Sequence, residues 1–141
     1  MIAYFDTSAI VPLLVLEPTT DLCTRLWNEA ERVVTCRLAY PETRAALASA
    51  HRAGRLSGPQ LRGVVAELDS SFEEVDILEV DDRLARIAGD LAERHALRGY
   101  DAVHLAAALA IADADLVFVT GDTDLGAAAT DAGLAVARMA R

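Results

Sequence analysis

Asp6, Glu42, Asp101 and Asp122 are the residues of this chain best suited to chemistry. Each falls where an apolar run gives way to a loop or where a helix opens. Neighbouring carboxylates shielded from water repel one another. At about 4 Å and an effective dielectric of about 20, each like-charged pair costs about 4 kcal/mol. A fold tolerates such a cluster when a cation completes it, and hard oxygen donors select Mg²⁺ or Mn²⁺ over zinc. One or two such ions neutralise a phosphodiester, activate a water and stabilise the leaving oxygen. Thr7 and Thr120 are adjacent hydroxyls suited to orienting ligands or to hydrogen-bonding a phosphate. Asp124, two residues beyond Asp122, is an alternative or additional fourth acid.

The elements that must position these residues can be read in order. Met1–Phe5 is a short buried strand with Asp6 at its carboxyl end. Thr7-Ser8 is suited to cap a helix running to about Leu16 and ended by Pro18. Thr19-Thr20-Asp21 opens a helix with Leu22, Leu26 and Ala30 on one face. Val33–Cys36 is the second strand. Pro41 suits the first turn of a helix reaching about Arg52, which puts Glu42 in that turn. Ser57-Gly58-Pro59 starts a helix ending near Asp69, and Val75–Val80 is the third strand. Asp81-Asp82 caps a helix through Leu97. Arg98-Gly99-Tyr100 reads as a tight turn, after which Asp101 opens a helix over 102–112 that is apolar all round and therefore buried. Leu116–Val119 is the fourth strand, 120–124 a loop and 125–132 a helix stopped by Gly133. Leu134–Val136 is a short last strand.

Strands alternating with helices imply one α/β domain over residues 1–141, a central parallel sheet of about five strands flanked by helices. In open sheets of this kind ligands bind beyond the carboxyl ends of the strands, where Asp6 and Asp122 fall. Glu42 and Asp101 lie in first helical turns, where free N–H groups and the helix dipole favour a carboxylate.

Composition narrows the function. The 141 residues are 53% apolar, enough for one real core, so disorder is not expected. A net charge of −9 argues against a general nucleic-acid coat protein. Aromatic residues at 5% are too few for a base-stacking platform. All 13 basic residues are arginine, so phosphate loops and phospho-acceptor domains that rely on a lysine lose their key residue. Arginine remains the better forked phosphate ligand, and Arg37, Arg44 and Arg98 lie nearest the acids in sequence. Cys23 and Cys36 match no zinc or redox spacing and read as reduced thiols. The apolar stretch 9–16 is too short and interrupted for a membrane span, and a cytoplasmic location is expected.

The start Tyr4-Phe5-Asp6-Thr7-Ser8-Ala9, Glu42 on its helix, the segment from Arg98 to Ala106 (RGYDAVHLA) and the loop from Val119 to Leu125 (VTGDTDL) resemble the PIN-domain ribonucleases, most of all VapC-type toxins of bacterial toxin–antitoxin modules. The ordered set and the length carry the likeness over essentially the whole chain. The resemblance implies Mg²⁺- or Mn²⁺-dependent cleavage of RNA, often tRNA or ribosomal RNA. It implies a VapB-like antitoxin that blocks the cleft, and a homodimer. Asp6, Glu42 and Asp101 match the family's acidic positions, and Asp122 matches the more variable fourth.

Other readings compete. A phosphatase with an aspartyl nucleophile also places an Asp after the first strand, but it needs a second acid where Ser8 stands, and a lysine. A non-catalytic PIN-like module that binds RNA or protein would be favoured by an incomplete acidic set. His104, one turn after Asp101, reads as a packing histidine rather than a general base. His51 and His95 read as surface residues, and Tyr100 as packing its turn. The amphipathic segments 22–30 and 56–68 serve either the core or a groove for a partner helix.

Overall fold

Side-chain alternation along the two central strands explains the layering. In β1 (Ile2–Phe5), Ala3 and Phe5 enter one apolar cluster while Tyr4 enters another. In β4 (Leu116–Thr120), Leu116 and Phe118 join Tyr4, and Val119 joins Phe5. Successive strand residues face opposite ways, so a strand apolar at every position must be covered on both sides. A computed structural model describes residues 1–140 and has this arrangement.

Five parallel strands, completed by β2 (Arg32–Cys36), β3 (Asp76–Leu78) and β5 (Ala135–Arg138), lie in the order β3-β2-β1-β4-β5. On one face pack α1 (Thr7–Leu14), α2 (Thr20–Glu29), α3 (Ala39–Arg52) and α4 (Gly58–Glu74). On the other pack α5 (Asp82–His95), α6 (Gly99–Ala110) and α7 (Thr123–Asp131). The chain moves outward from β1 through β2 to β3, then returns to lay β4 against the free side of β1. The crevice between the carboxyl ends of β1 and β4 is therefore the switch point of the sheet.

The expected elements are all present, with shifted ends. α1 stops at Leu14 rather than Leu16, well before Pro18. α4 continues to Glu74, held at its start by a capping box between Ser57 and Gln60. β3 is trimmed to three residues, and β5 extends to Arg138 by pairing with Thr120. Arg98-Gly99-Tyr100 is not a separate turn: α6 begins at Gly99, with Arg98 as its extended N-cap residue. Gly133 ends α7 with φ +96°, a conformation that side-chain-bearing residues rarely adopt. Among the described residues no helix is long and apolar enough to cross a membrane.

Phe118 is 0% exposed and stacks on Tyr4 at 5.5 Å, the two rings 4° from parallel. Truncation there opens a cavity at the centre of the sheet. Phe118→Ala is expected to lower stability by about 3–5 kcal/mol, read from the urea midpoint at unchanged m-value.

Candidate active site

Asp6 is the first residue beyond β1 and is 2% exposed. Its Oδ1 accepts from the Ala9 amide at 3.1 Å and from the Ser8 hydroxyl at 2.6 Å. Its Oδ2 accepts from the Thr120 hydroxyl at the end of β4. Asp6, not Thr7 or Ser8, is thus the N-cap of α1: it has the extended backbone of a cap, and its carboxylate reaches the free amide three residues on. Burial raises the Asp6 pKa, and the charge of His104 and these hydrogen bonds only partly oppose the rise.

Glu42, in the first turn of α3, approaches from the β2 side. Its Oε1 accepts from the Thr7 hydroxyl at 2.8 Å and lies 2.7 Å from His104 Nε2. His104 is 1% exposed, on the buried side of α6. Its Nδ1 is 2.9 Å from the Tyr4 hydroxyl and 3.7 Å from Cys36 Sγ. Burial alone would lower the pKa of this imidazole. Its hydrogen bonds with Cys36 and Glu42 and the nearby charges of Cys36 and Asp6 outweigh that and raise it to about 10.

Asp101 lies in the first turn of α6, and Asp122 is the N-cap of α7, with Oδ1 accepting from the Leu125 amide at 2.9 Å. Arg98 joins them: its Nε donates to Asp101 at 2.9 Å and one Nη to Asp122 at 3.4 Å. Its guanidinium also lies over the Tyr100 ring, 4.7 Å from the centroid. Burial raises the Asp101 pKa; Arg98 opposes this and the charge of Asp122 adds to it.

All four sequence-predicted acids therefore lie along the carboxyl edge of the sheet, Glu42 bonded to Thr7, Asp6 to Thr120, and Asp101 and Asp122 to Arg98. Asp124 is exposed in the first turn of α7 and makes no side-chain hydrogen bond among the described residues. Of the three arginines expected to face substrate, only Arg98 touches the acids. Arg37 is forked onto Glu79, and Arg44 donates to the Tyr40 hydroxyl. His51 is exposed as expected, whereas His95 is half-buried.

Hard oxygens fit a divalent cation, but they are not drawn into a finished cage. Among the described residues no three His, Cys, Asp or Glu side chains stand close enough to hold one ion together. Both Asp6 oxygens accept from hydroxyls, and the Arg98 guanidinium bonds both Asp101 and Asp122. His104, expected from the sequence to pack in the core rather than act as a general base, is buried and also bonds Glu42. Its spacing of three from Asp101, which puts both on adjoining faces of one helix, was the available signal.

Residues 3–131 match the family model described as PIN domain. Ribonuclease VapC49 of Mycobacterium tuberculosis (strain ATCC 25618 / H37Rv) is 41% identical over 136 residues, covering 96% of this chain and 94% of the relative. The crystal structure of M. tuberculosis VapC20, a sarcin-ricin loop cleaving toxin, has a TM-score of 0.72 at 20% identity over 96% of this chain and 98% of that one. A toxin–antitoxin complex from Klebsiella pneumoniae has a TM-score of 0.61 at 16% identity, covering 86% and 87%.

The raised Asp6 pKa has a sign that can be tested. A carboxyl group whose folded pKa lies above its unfolded value favours folding below the ordinary carboxylate range and loses that contribution as pH rises through the folded value. At neutral pH without divalent ions, Asp6→Asn is therefore expected to raise Tm. The check is thermal unfolding in EDTA; a marked fall in Tm would make Asp6 a structural cap.

Proposed function

The chain belongs to the PIN-domain family, as a VapC-type member, and we propose that it is a Mg²⁺- or Mn²⁺-dependent endoribonuclease, the toxin of a type II toxin–antitoxin pair. The observation that carries this reading is the placement of Asp6, Glu42, Asp101 and Asp122 along one sheet edge, with His104 bonded to Glu42 and Arg98 to Asp101 and Asp122. Two of these acids have raised pKa values because the fold supplies less countercharge than their burial demands. A donor set made of hard oxygens and short of positive charge suits a hard divalent ion. Asp6, Asp101 and Asp122 would hold it, with Glu42 bound directly or through water. When bound, the ion supplies charge neutralisation for the phosphodiester and a water acidic enough to attack it.

The chain's own residues do the positioning. The Ser8 and Thr120 hydroxyls fix Asp6 by separate oxygens, so its carboxylate cannot swing away. Thr7 and His104 hold Glu42. Arg98 is 63% exposed and rests on Tyr100, so it is free to leave the carboxylates as substrate arrives. Its forked donors then match two phosphate oxygens, which a lysine would not do. No protein nucleophile is required. RNA, of the tRNA or ribosomal class, is the substrate assigned, in keeping with a ribonuclease-named relative at 41% identity.

The partner assigned is a VapB-like antitoxin. A 160 Å³ cleft between α1, α2 and α4 is walled by Ile10, Leu13, Leu14, Trp27, Leu68 and Phe72. The amphipathic segments 22–30 and 56–68 both contribute to it, and its apolar walls suit an apolar anchor side chain presented by a partner helix. The toxin–antitoxin neighbour from K. pneumoniae is in keeping with such a complex. A homodimer belongs to the same reading. The setting is the cytoplasm, where Cys23 and Cys36, both free and buried, stay reduced.

Total cellular RNA incubated with the protein and Mg²⁺ or Mn²⁺ is expected to acquire discrete new 5′ ends, lost in EDTA and restored by the ion. Asp6→Asn and Asp101→Asn are each expected to reduce cleavage by more than the ~10–100-fold that follows loss of an outer ligand contact, with unchanged circular dichroism. Activity retained in both variants would remove the metal site. On co-expression with the protein encoded immediately upstream, the wild type is expected to elute as a complex that Leu13→Glu disrupts; separate elution of the wild-type pair would remove the antitoxin.

A further inference from the structure

We infer that His104 and Thr7 form a clamp that positions Glu42, pinning one of its carboxylate oxygens from two sides and leaving the other to the cation. The inference rests on the nuclease reading above and deepens it. Thr7 Oγ1 and His104 Nε2 both contact Oε1 of Glu42, at 2.8 and 2.7 Å, and lie 3.3 Å from each other. Oε2 has no hydrogen-bond partner among the described residues, and the Glu42 side chain is 21% exposed. One oxygen is saturated and the other is open.

The donor in this clamp does not depend on the charge of the ring. An ionised carboxylate only accepts, so Nε2 must carry the proton that bonds Glu42. Nδ1 then either accepts from the Tyr4 hydroxyl or, if it too is protonated, donates to it. The ring is fixed from behind in both cases. Tyr4 is 0% exposed and stacked on Phe118, and its ring meets that of His104 edge-on, with centroids 5.9 Å apart and planes at 77°. The central sheet thus sets the imidazole, and the imidazole sets the carboxylate.

Packing alone does not account for this residue. Val103 precedes His104 on α6 and Leu105, Ala106, Ala107 and Ala108 follow it, so a buried imidazole without partners would be costly there. Its two nitrogens are instead bonded in opposite directions, one into the core and one to the acid cluster. Outer contacts of this kind hold a metal-binding carboxylate in the orientation it needs. His104 is a positioning residue: the group meant to meet the ion is Glu42.

The test compares His104→Leu, which keeps bulk without a donor, with His104→Gln, which keeps an N–H donor. Mn²⁺ binding to the intact metal-free protein is measured by calorimetry. His104→Leu is expected to bind about 10–100-fold more weakly, and His104→Gln close to wild type. At saturating Mn²⁺, His104→Leu is expected to lower kcat on RNA with KM unchanged. A metal-free measurement accompanies these: the imidazole ¹⁵N spectrum should show a bonded Nε2 proton that shifts in Glu42→Ala. Equal Mn²⁺ affinity in wild type and folded His104→Leu overturns the clamp alone, as does a folded His104→Gln that binds as poorly as His104→Leu. An Nε2 signal indifferent to Glu42→Ala also overturns it. A wild type that takes up no Mn²⁺ overturns the metal reading itself, and this role with it.

Discussion

The carboxylate of Asp6 sits almost wholly out of water between the carboxyl ends of β1 and β4, and its surroundings are arranged to hold it there. Two hydroxyls and a backbone amide donate to its oxygens, and the imidazole of His104 lies near enough to favour its charge. These contacts orient the group without fully replacing the water it has lost, so its pKa remains above the ordinary carboxylate value. Asp101 is under similar strain despite its bond to Arg98. Under the proposed function this imbalance is useful: an apo site short of positive charge gains most when a divalent cation arrives.

The sheet explains why residues so far apart in sequence share this constraint. Asp6 follows β1, Glu42 lies in the first turn of the helix after β2, Asp101 in the first turn of α6 before β4, and Asp122 follows β4. A parallel sheet points all its strands one way, so these junctions converge on one edge by topology. That much was legible in the sequence, because strand ends and helix starts are marked by local chemistry: the apolar run 116–119, Pro41 in a first turn, Asp81 before α5. What was not legible followed from contacts between distant segments. The Asp6 cap could not be told from a Thr7 or Ser8 cap, since all three side chains suit the role. Arg98 was placed in a turn because Gly99 and Tyr100 follow it, yet α6 takes both residues into its first turn. Asp122 and Asp124 share one turn and both suit a cap; in the fold Asp122 caps α7 and also meets Arg98, 24 residues away in sequence. The link between His104 and Glu42 likewise spans 62 positions.

α6 shows why core and site cannot be treated separately here. Ala102, Ala106, Ala107 and Ala108 are all buried, and so many small side chains let the helix axis lie close to the sheet and to α5. Asp101 and His104 stand one turn apart on this helix. His104 reaches inward to Tyr4 of β1 and Cys36 of β2, while Asp101 stays at the rim with Arg98. Their separation from Asp6 and Glu42 is therefore set by how deeply the alanines let α6 settle. A larger residue at any of them would move the helix as a body, carrying an acid and an imidazole with it, because a close-packed interior yields by shifting elements rather than by compressing. The alanine-rich stretch that looks like generic helix-forming sequence is thus part of the geometry of the acids, and the distance between the charges is a property of the core.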